Sequence, residues 1–225
     1  MIVDLESQFS DSPLVQEIYR ARSVGGGSFT SVAASNWEMV ITKQQGRIIL
    51  SIRGPETKAS PSPIPTDAEF LGIIFKHGVF MPSLPVKKFV DKEIHLPETS
   101  KNSFQLFGDT WEFPKLENVD TFVKRLIHDE LLIHDHVVED VLRGKTQDLS
   151  LRSIQRRFLQ VTGLTYKTIQ QIERARQAVS LLQNGMPIPE TAYQTGYFDQ
   201  AHLTNSLRRF YGQTPMQVVQ PEYSA

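Results

Sequence analysis

Two short runs of side chains in the last third of this chain have the chemistry to read a nucleic acid. Arg152, Ser153, Gln155 and Arg156 make the first; Gln200, Ala201, His202, Thr204 and Asn205, with Arg208 and Arg209 further on, make the second. Guanidinium, amide and hydroxyl groups of this kind donate to base edges and to phosphate oxygens. Almost no carboxylate interrupts either run, so neither would repel a phosphate backbone.

Both runs need a helix to present them, and the sequence supplies the same helix twice. Ser150 begins the first copy, and Ile154, Phe158 and Val161 follow at offsets 4, 8 and 11, with Gly163 and Thr165 after them. Asp199 begins the second, with Leu203, Leu207 and Phe210 at the same offsets, then Gly212 and Thr214. The repeat distance is 49 residues throughout. Ser150 and Asp199 can each accept a hydrogen bond from an early backbone N–H. The apolar positions form a narrow buried stripe, and each glycine can end its helix in a left-handed conformation. Any one such helix reads equally well as plain core, but a repeated cap, stripe and glycine is hard to obtain by chance.

Between the copies, Ile172, Ala175, Val179 and Leu182 mark the buried face of one long helix over 166–184, closed by Gly185. Such a helix would space two recognition helices about one DNA turn apart. Ile188 and Ala192, then Gly196, predict a further helix and a sharp turn leading into the second copy.

Charge supports the same division. The chain has 225 residues and a net charge of −1. From Lys145 onward there are 9 Lys and Arg against 5 Asp and Glu, whereas residues 1–144 carry 15 against 20. The basic balance is confined to the C-terminal third, which suits a DNA module joined to a domain with another task; a solvated helical surface gives the same count. Cysteine is absent, which excludes disulfides and thiolate metal sites. No long apolar run or basic leader is present, so the expectation is a cytoplasmic chain with no membrane partner.

The first half has a different grammar. Residues 18–22, 28–33, 37–42, 47–53 and 69–76 are short apolar or β-branched runs, separated by turn signals at Gly25-Gly26-Gly27, Gln45-Gly46, Gly54-Pro55 and 60–65. Residues 79–97 are irregular, with Pro82, Pro85 and Pro97. Helices begin near Asn118, a candidate cap, with Val119, Phe122, Val123, Leu126 and Ile127 on one face. Val137, Val138, Val141 and Leu142 form a shorter helix that stops at Gly144. The expected fold is α+β: a small β-sandwich or barrel over 1–132, and an all-α domain over 133–225 with two helix-turn-helix units joined by a long helix.

The run 196–204 (GYFDQAHLT), then 207–215 (LRRFYGQTP), resembles the signature of the AraC/XylS transcription regulators, and so does 149–158 (LSLRSIQRRF) through Gly163-Leu164-Thr165. The resemblance implies a bipartite DNA-binding domain that acts on transcription initiation, with activation or repression left open. It also implies a cupin-like sensor or dimerisation domain in the β-rich half. On this reading Arg152, Arg156, Gln200 and His202 approach bases, while Thr204, Arg208 and Arg209 touch phosphates. The partner is duplex promoter DNA; RNA polymerase, a small-molecule effector and a second copy of the chain are compatible with it. Asn205 departs from the arginine common at that position. The first unit also lacks the Ala-to-Gly spacing of the second, having Arg143 and Gln147 instead, so its lead-in helix reads as short or displaced.

Other candidates point elsewhere. His134, His136 and Glu139 have metal-ligand types, but on a segment entering a helix they read as an exposed linker, and no metal or cofactor is expected. His77 and His95 are isolated. Gly25-Gly26-Gly27 lacks the order of a phosphate loop and reads as a β-turn. Residues 53–57 (RGPET) read as a turn or a pocket rim, and Trp37 and Trp111 as core or pocket lining. No nucleophile triad or paired carboxylate motif stands out, so an enzyme is not expected. Two other readings stay open: a ligand-binding or protein-interaction module whose helical tail has lost DNA, and a catalytic cupin fused to a DNA module.

Overall fold

The structure, a computed structural model, describes residues 2–220. By internal contacts the chain divides into two compact units. One takes the chain up to 28, 36–55 and 63–165; the other takes 29–35, 56–62 and the chain from 166 on.

The first unit is built on an antiparallel sheet. Its strands in chain order are β1 (Ile2–Gln8), β2 (Val15–Ser23), β4 (Glu38–Gln44), β5 (Arg47–Arg53), β7 (Ala68–Phe75) and β9 (Glu93–His95), while β3 (Gly27–Ser31) and β6 (Ser60–Ile64) pair with each other apart from it. The spatial order is β1-β2-β7-β4-β5-β9. Gln45 and Gly46 connect β4 to β5 with φ of 49° and 78°, the two positive values that a tight hairpin turn requires. Two small ladders complete the unit: β8 (Val79–Phe80) with β13 (Ile133–His134), and the meander β10 (Glu98–Ser100), β11 (Ser103–Leu106), β12 (Asp109–Glu112).

Helix α1 (Val119–His128) and the meander close the core through aromatic contacts: Trp111 meets Phe122 edge-on at 5.8 Å, and Phe104 meets Phe113 at 5.2 Å. Val119, Phe122, Val123 and Leu126 are buried, as their spacing predicts, and Ile127 packs at the margin. Trp37 is core, stacked on Phe75 at 4.3 Å with its indole N–H donating to the Val79 carbonyl at 2.7 Å. Trp111 is core as well, under the Arg125 guanidinium.

Two local expectations are corrected. Asn118 does not cap α1 with its side chain; its Oδ1 accepts from the backbone N–H of Lys115 at 2.7 Å and closes a preceding 3-10 turn instead. Residues 60–64 are a strand, not a turn: Pro61 and Pro63 have no N–H to give, which a two-stranded edge ladder tolerates.

The triple glycine is a bend at Gly25 that runs into β3 at Gly27. The N–H of Gly25 points at Asp67 Oδ1 at 3.3 Å, a carboxylate that would repel a phosphate. Arg53 is held by Glu93 at 3.0 Å and Glu38 at 3.8 Å, and Glu38 also accepts from the Tyr19 hydroxyl at 3.0 Å. His95 Nδ1 sits 2.8 Å from the Ser51 hydroxyl.

The rest is helical. Helices α2 (His136–Leu142) and α3 (Leu151–Thr162) group with the first unit; α4 (Tyr166–Gln183), α5 (Ile188–Gln194), α6 (Gln200–Tyr211) and α7 (Pro215–Val219) belong to the second. No helix among the described residues is long and apolar enough to cross a membrane.

Candidate nucleic-acid interface

Helix α3 begins where its cap chemistry says it must. Ser150 has extended backbone angles, and its hydroxyl accepts from the Ser153 N–H at 3.2 Å. Gly163 ends the helix at φ 72°. Phe158 and Val161 are buried and Ile154 half-buried, and this stripe packs on α2, on β8 and on a 3-10 turn at Val86–Phe89. The packing at that turn is close. A Cβ on Gly163 would stand 2.7 Å from Val90 Cγ2 and 3.2 Å from the Lys87 nitrogen.

Helix α6 repeats the design. Asp199 accepts from the His202 N–H at 2.7 Å, Gly212 ends the helix at φ 69°, and Leu203, Leu207 and Phe210 are buried against α4 and its neighbours. The turn before it is equally defined. Ala192 is buried on α5, Gly196 takes φ 72°, and the Tyr197 N–H donates back to the Ala192 carbonyl at 2.9 Å. Tyr197 is then fixed by its hydroxyl, 2.7 Å from Ser206 Oγ, and burial raises its pKa. Helix α4 buries Ile172, Ala175, Val179 and Leu182 as expected, together with Ile169 and Ala178.

A helix turns about 100° per residue, so the position farthest from a stripe at 0, 4 and 7 is set by arithmetic. On α3 that outward line is Arg152, Arg156 and Leu159; on α6 it is Ala201, Asn205 and Arg208. All six side chains are exposed. Gln155 and Thr204 occupy one flank, and Ser153 and His202 the other. Among the described residues, Arg152, Arg156 and Arg208 have no carboxylate partner within ion-pair distance.

The flanking groups are partly committed to the protein. Ser153 Oγ lies 2.9 Å from Ser150 Oγ, and Thr204 Oγ1 donates to the Gln200 carbonyl at 2.8 Å. The His202 ring meets Tyr197 edge-on at 5.0 Å, and Arg209 lies over the Phe210 ring. Gln155 and Gln200 are exposed.

Three features of this surface are not evident from the helical runs. Lys87, from the irregular stretch before α1, lines a groove of about 680 Å³ with Arg152, Arg156 and Leu159 and adds a cation to the α3 face. Arg157 does not face outward; it donates to Asp135 at 2.7 Å, and Asp135 in turn caps α2 by accepting from Val137 and Val138. Phe198, at the turn into α6, is 92% exposed and stands beside the first residues of that helix. The helix preceding α3 proves displaced rather than short. Like α5, α2 has seven residues, but 143–150 separate it from α3, whereas only 195–199 separate α5 from α6.

Residues 145–220 match the family model described as a helix-turn-helix domain. No curated protein is matched. Among solved structures, ToxT from Vibrio cholerae (P21 form) is 11% identical, with 96% of this chain and 97% of that chain covered and a TM-score of 0.40. ToxT from Vibrio cholerae O395 is 9% identical, with 98% and 99% covered and a TM-score of 0.41.

Proposed function

We propose, from the premise that residues 145–220 are a helix-turn-helix domain of the AraC type, that this protein regulates transcription by inserting α3 and α6 into successive major-groove segments of promoter DNA. The observation that supports this best is the duplicated design: two helices, each capped by a side-chain oxygen, ended by a left-handed glycine and buried along one stripe, with exposed polar and basic residues opposite it.

The helical geometry sharpens the roles. Arg152 and Arg156 on α3, and Asn205 and Arg208 on α6, point straight out and are assigned to the groove floor. Gln155, Gln200 and His202 sit where base edges or adjacent phosphates pass. Ser153, Thr204, Arg209 and Lys87 are assigned to the backbone on either side, with Ala201 giving a close apolar approach. The β-rich unit holds a cavity of about 830 Å³ lined by Arg20, Arg22, Lys43, Phe70 and Leu71 among others, within the size range of small-ligand sites. An effector there, a second copy of the chain and RNA polymerase complete the proposed set of partners, in the cytoplasm.

Titration of full-length protein against duplex DNA at several salt concentrations tests the reading. Each phosphate contact releases a counterion, so affinity must fall steeply as salt rises. Binding that is unchanged in the double variant Arg152→Ala with Gln200→Ala would overturn these roles.

A further inference from the structure

His134, His136 and Glu139 come from two elements: His134 ends β13, while His136 and Glu139 lie in the first turn of α2. The fold brings one ligand atom of each to within 4.8 Å of the others. The sequence supplies the three residue types but not their approach, because His134 is not on the helix and reaches the cluster only through its ladder with β8.

The arrangement of lone pairs is unusual. His134 Nε2 is buried, has no hydrogen-bond partner, and stands 3.2 Å from Glu139 Oε2. The His134 ring does hydrogen-bond to the backbone of His77, and with Nε2 unpartnered that bond falls to Nδ1. A ring whose Nδ1–H donates to a carbonyl turns the Nε2 lone pair outward. Here Nε2 lies 3.2 Å from a carboxylate oxygen that is off its hydrogen-bonding axis, a separation that one cation bound to both atoms would span.

The surroundings fix the same geometry. Arg143 holds the other oxygen of Glu139 at 2.5 Å, which leaves Oε2 for the cluster. Gly78 lets the chain pass tightly behind His134; a Cβ there would meet the imidazole at 3.0 Å. The His136 ring stands edge-on to His134 with centroids 4.4 Å apart, and its side chain is exposed.

We infer that His134, His136 and Glu139 form a binding site for a divalent first-row transition cation of the zinc class. Two imidazoles and one carboxylate are the donor set these ions favour, whereas calcium and magnesium take oxygen ligands. A histidine that ligates through one nitrogen and donates to a backbone carbonyl through the other is the usual outer-shell arrangement. Ligands about 2.0–2.2 Å from one ion lie roughly 3.3 Å apart. His134 and Glu139 already meet that separation; His136 closes by rotation of its exposed side chain.

The site bears on α3. Asp135, between the two histidines, caps α2 and accepts from Arg157 of α3. An ion joining β13 to the first turn of α2 stiffens this clasp and so the seat of α3.

Full-length protein stripped with a chelator and titrated with Co²⁺ alone gives the test, because bound Co²⁺ reports its donor set through visible absorption. The expected result is one ion per chain with micromolar affinity, displaced by Zn²⁺, and a rise in melting temperature on Zn²⁺ addition. His136→Ala and Glu139→Gln, at positions with solvent access, are each expected to weaken binding at least tenfold, while His128→Ala leaves it unchanged. Absence of saturable binding to the folded protein would overturn the inference, as would full binding by the double variant His136→Ala with Glu139→Gln.

Discussion

The backbone N–H of Ala33 donates to the carbonyl of Phe210 at 2.7 Å, and that of Ala59 to the carbonyl of Arg209 at 2.8 Å. The last carbonyls of any helix lack partners within it. The Arg209 and Phe210 carbonyls of α6 are met by two segments distant in sequence, 56–62 and 29–35, which group with the helices from 166 on rather than with the sheet. Ser35 adds a hydrogen bond to Glu173 of α4 at 2.5 Å. Both segments are therefore part of the second unit. Ala59→Pro, which removes one donor, is expected to lower stability by about 1–3 kcal/mol, since it strands a carbonyl. Ala59→Gly keeps the N–H and is expected to cost less than half as much. Thermal melts of the two variants check this, and equal losses would contradict it.

The outward line on each recognition helix makes a prediction about DNA. Arg156→Ala and Arg208→Ala are each expected to cost about 1–3 kcal/mol of binding if they meet bases, or to reduce the salt slope by about one if they meet phosphates. Thr204→Val is expected to matter less, because its hydroxyl already donates to the Gln200 carbonyl. Fluorescence anisotropy at three salt concentrations separates these outcomes.

Asn205 stands on the same outward line as Arg208 and is exposed. Asn205→Arg places a second cation there without a steric penalty. Tighter binding to unselected duplex DNA is expected, with a salt slope steeper by about one. No change would mean that this part of α6 does not approach the duplex.

The left-handed glycines differ in the space around them, which allows a controlled comparison. At Gly185, with φ 85°, an added Cβ would meet no atom within 4 Å, so Gly185→Ala is expected to cost only the backbone strain, about 1–2 kcal/mol. Gly163 at φ 72° faces Val90 at 2.7 Å and the Lys87 backbone, so Gly163→Ala is expected to cost more. Urea denaturation of both variants gives the order, and the reverse order would contradict the packing of α3 on the 3-10 turn.

Tyr19 titrates well above the ordinary tyrosine range, chiefly because it is buried, with Glu38 adding to the shift. A raised folded-state pKa means that the unfolded chain loses its proton first as pH rises. The stabilisation is complete below about pH 10 and is lost as pH rises toward the folded value. Burial raises Tyr197 and Tyr211 in the same direction. Stability is expected to fall from about pH 10 upward, and less steeply in Tyr19→Phe. Denaturation midpoints between pH 8 and 11 test this.

Local chemistry was legible in the sequence and long-range chemistry was not. Ser150, Asp199, Gly163 and Gly212 could be assigned because caps and left-handed ends depend on neighbours within four residues. The β4–β5 turn at Gln45-Gly46 was legible for the same reason. The strand Ser60–Ile64 was hidden because its prolines and serines carry turn signals, and only its pairing with β3 makes it a strand. Asn118 has a capping residue type but spends its side chain on Lys115. The hydrogen bond from Ala33 to Phe210, the place of Lys87 beside α3, and the approach of His134 to Glu139 leave no periodic trace, because each depends on segments joined only by the fold.

The most direct test of the central claim is selection of bound sequences from a random duplex pool by the full-length protein. The account predicts two short enriched motifs about one helical turn, or 10–10.5 base pairs, apart, with the first motif lost in Arg152→Ala with Arg156→Ala and the second in Arg208→Ala. Failure to enrich any sequence, or enrichment indifferent to all three arginines, would contradict it.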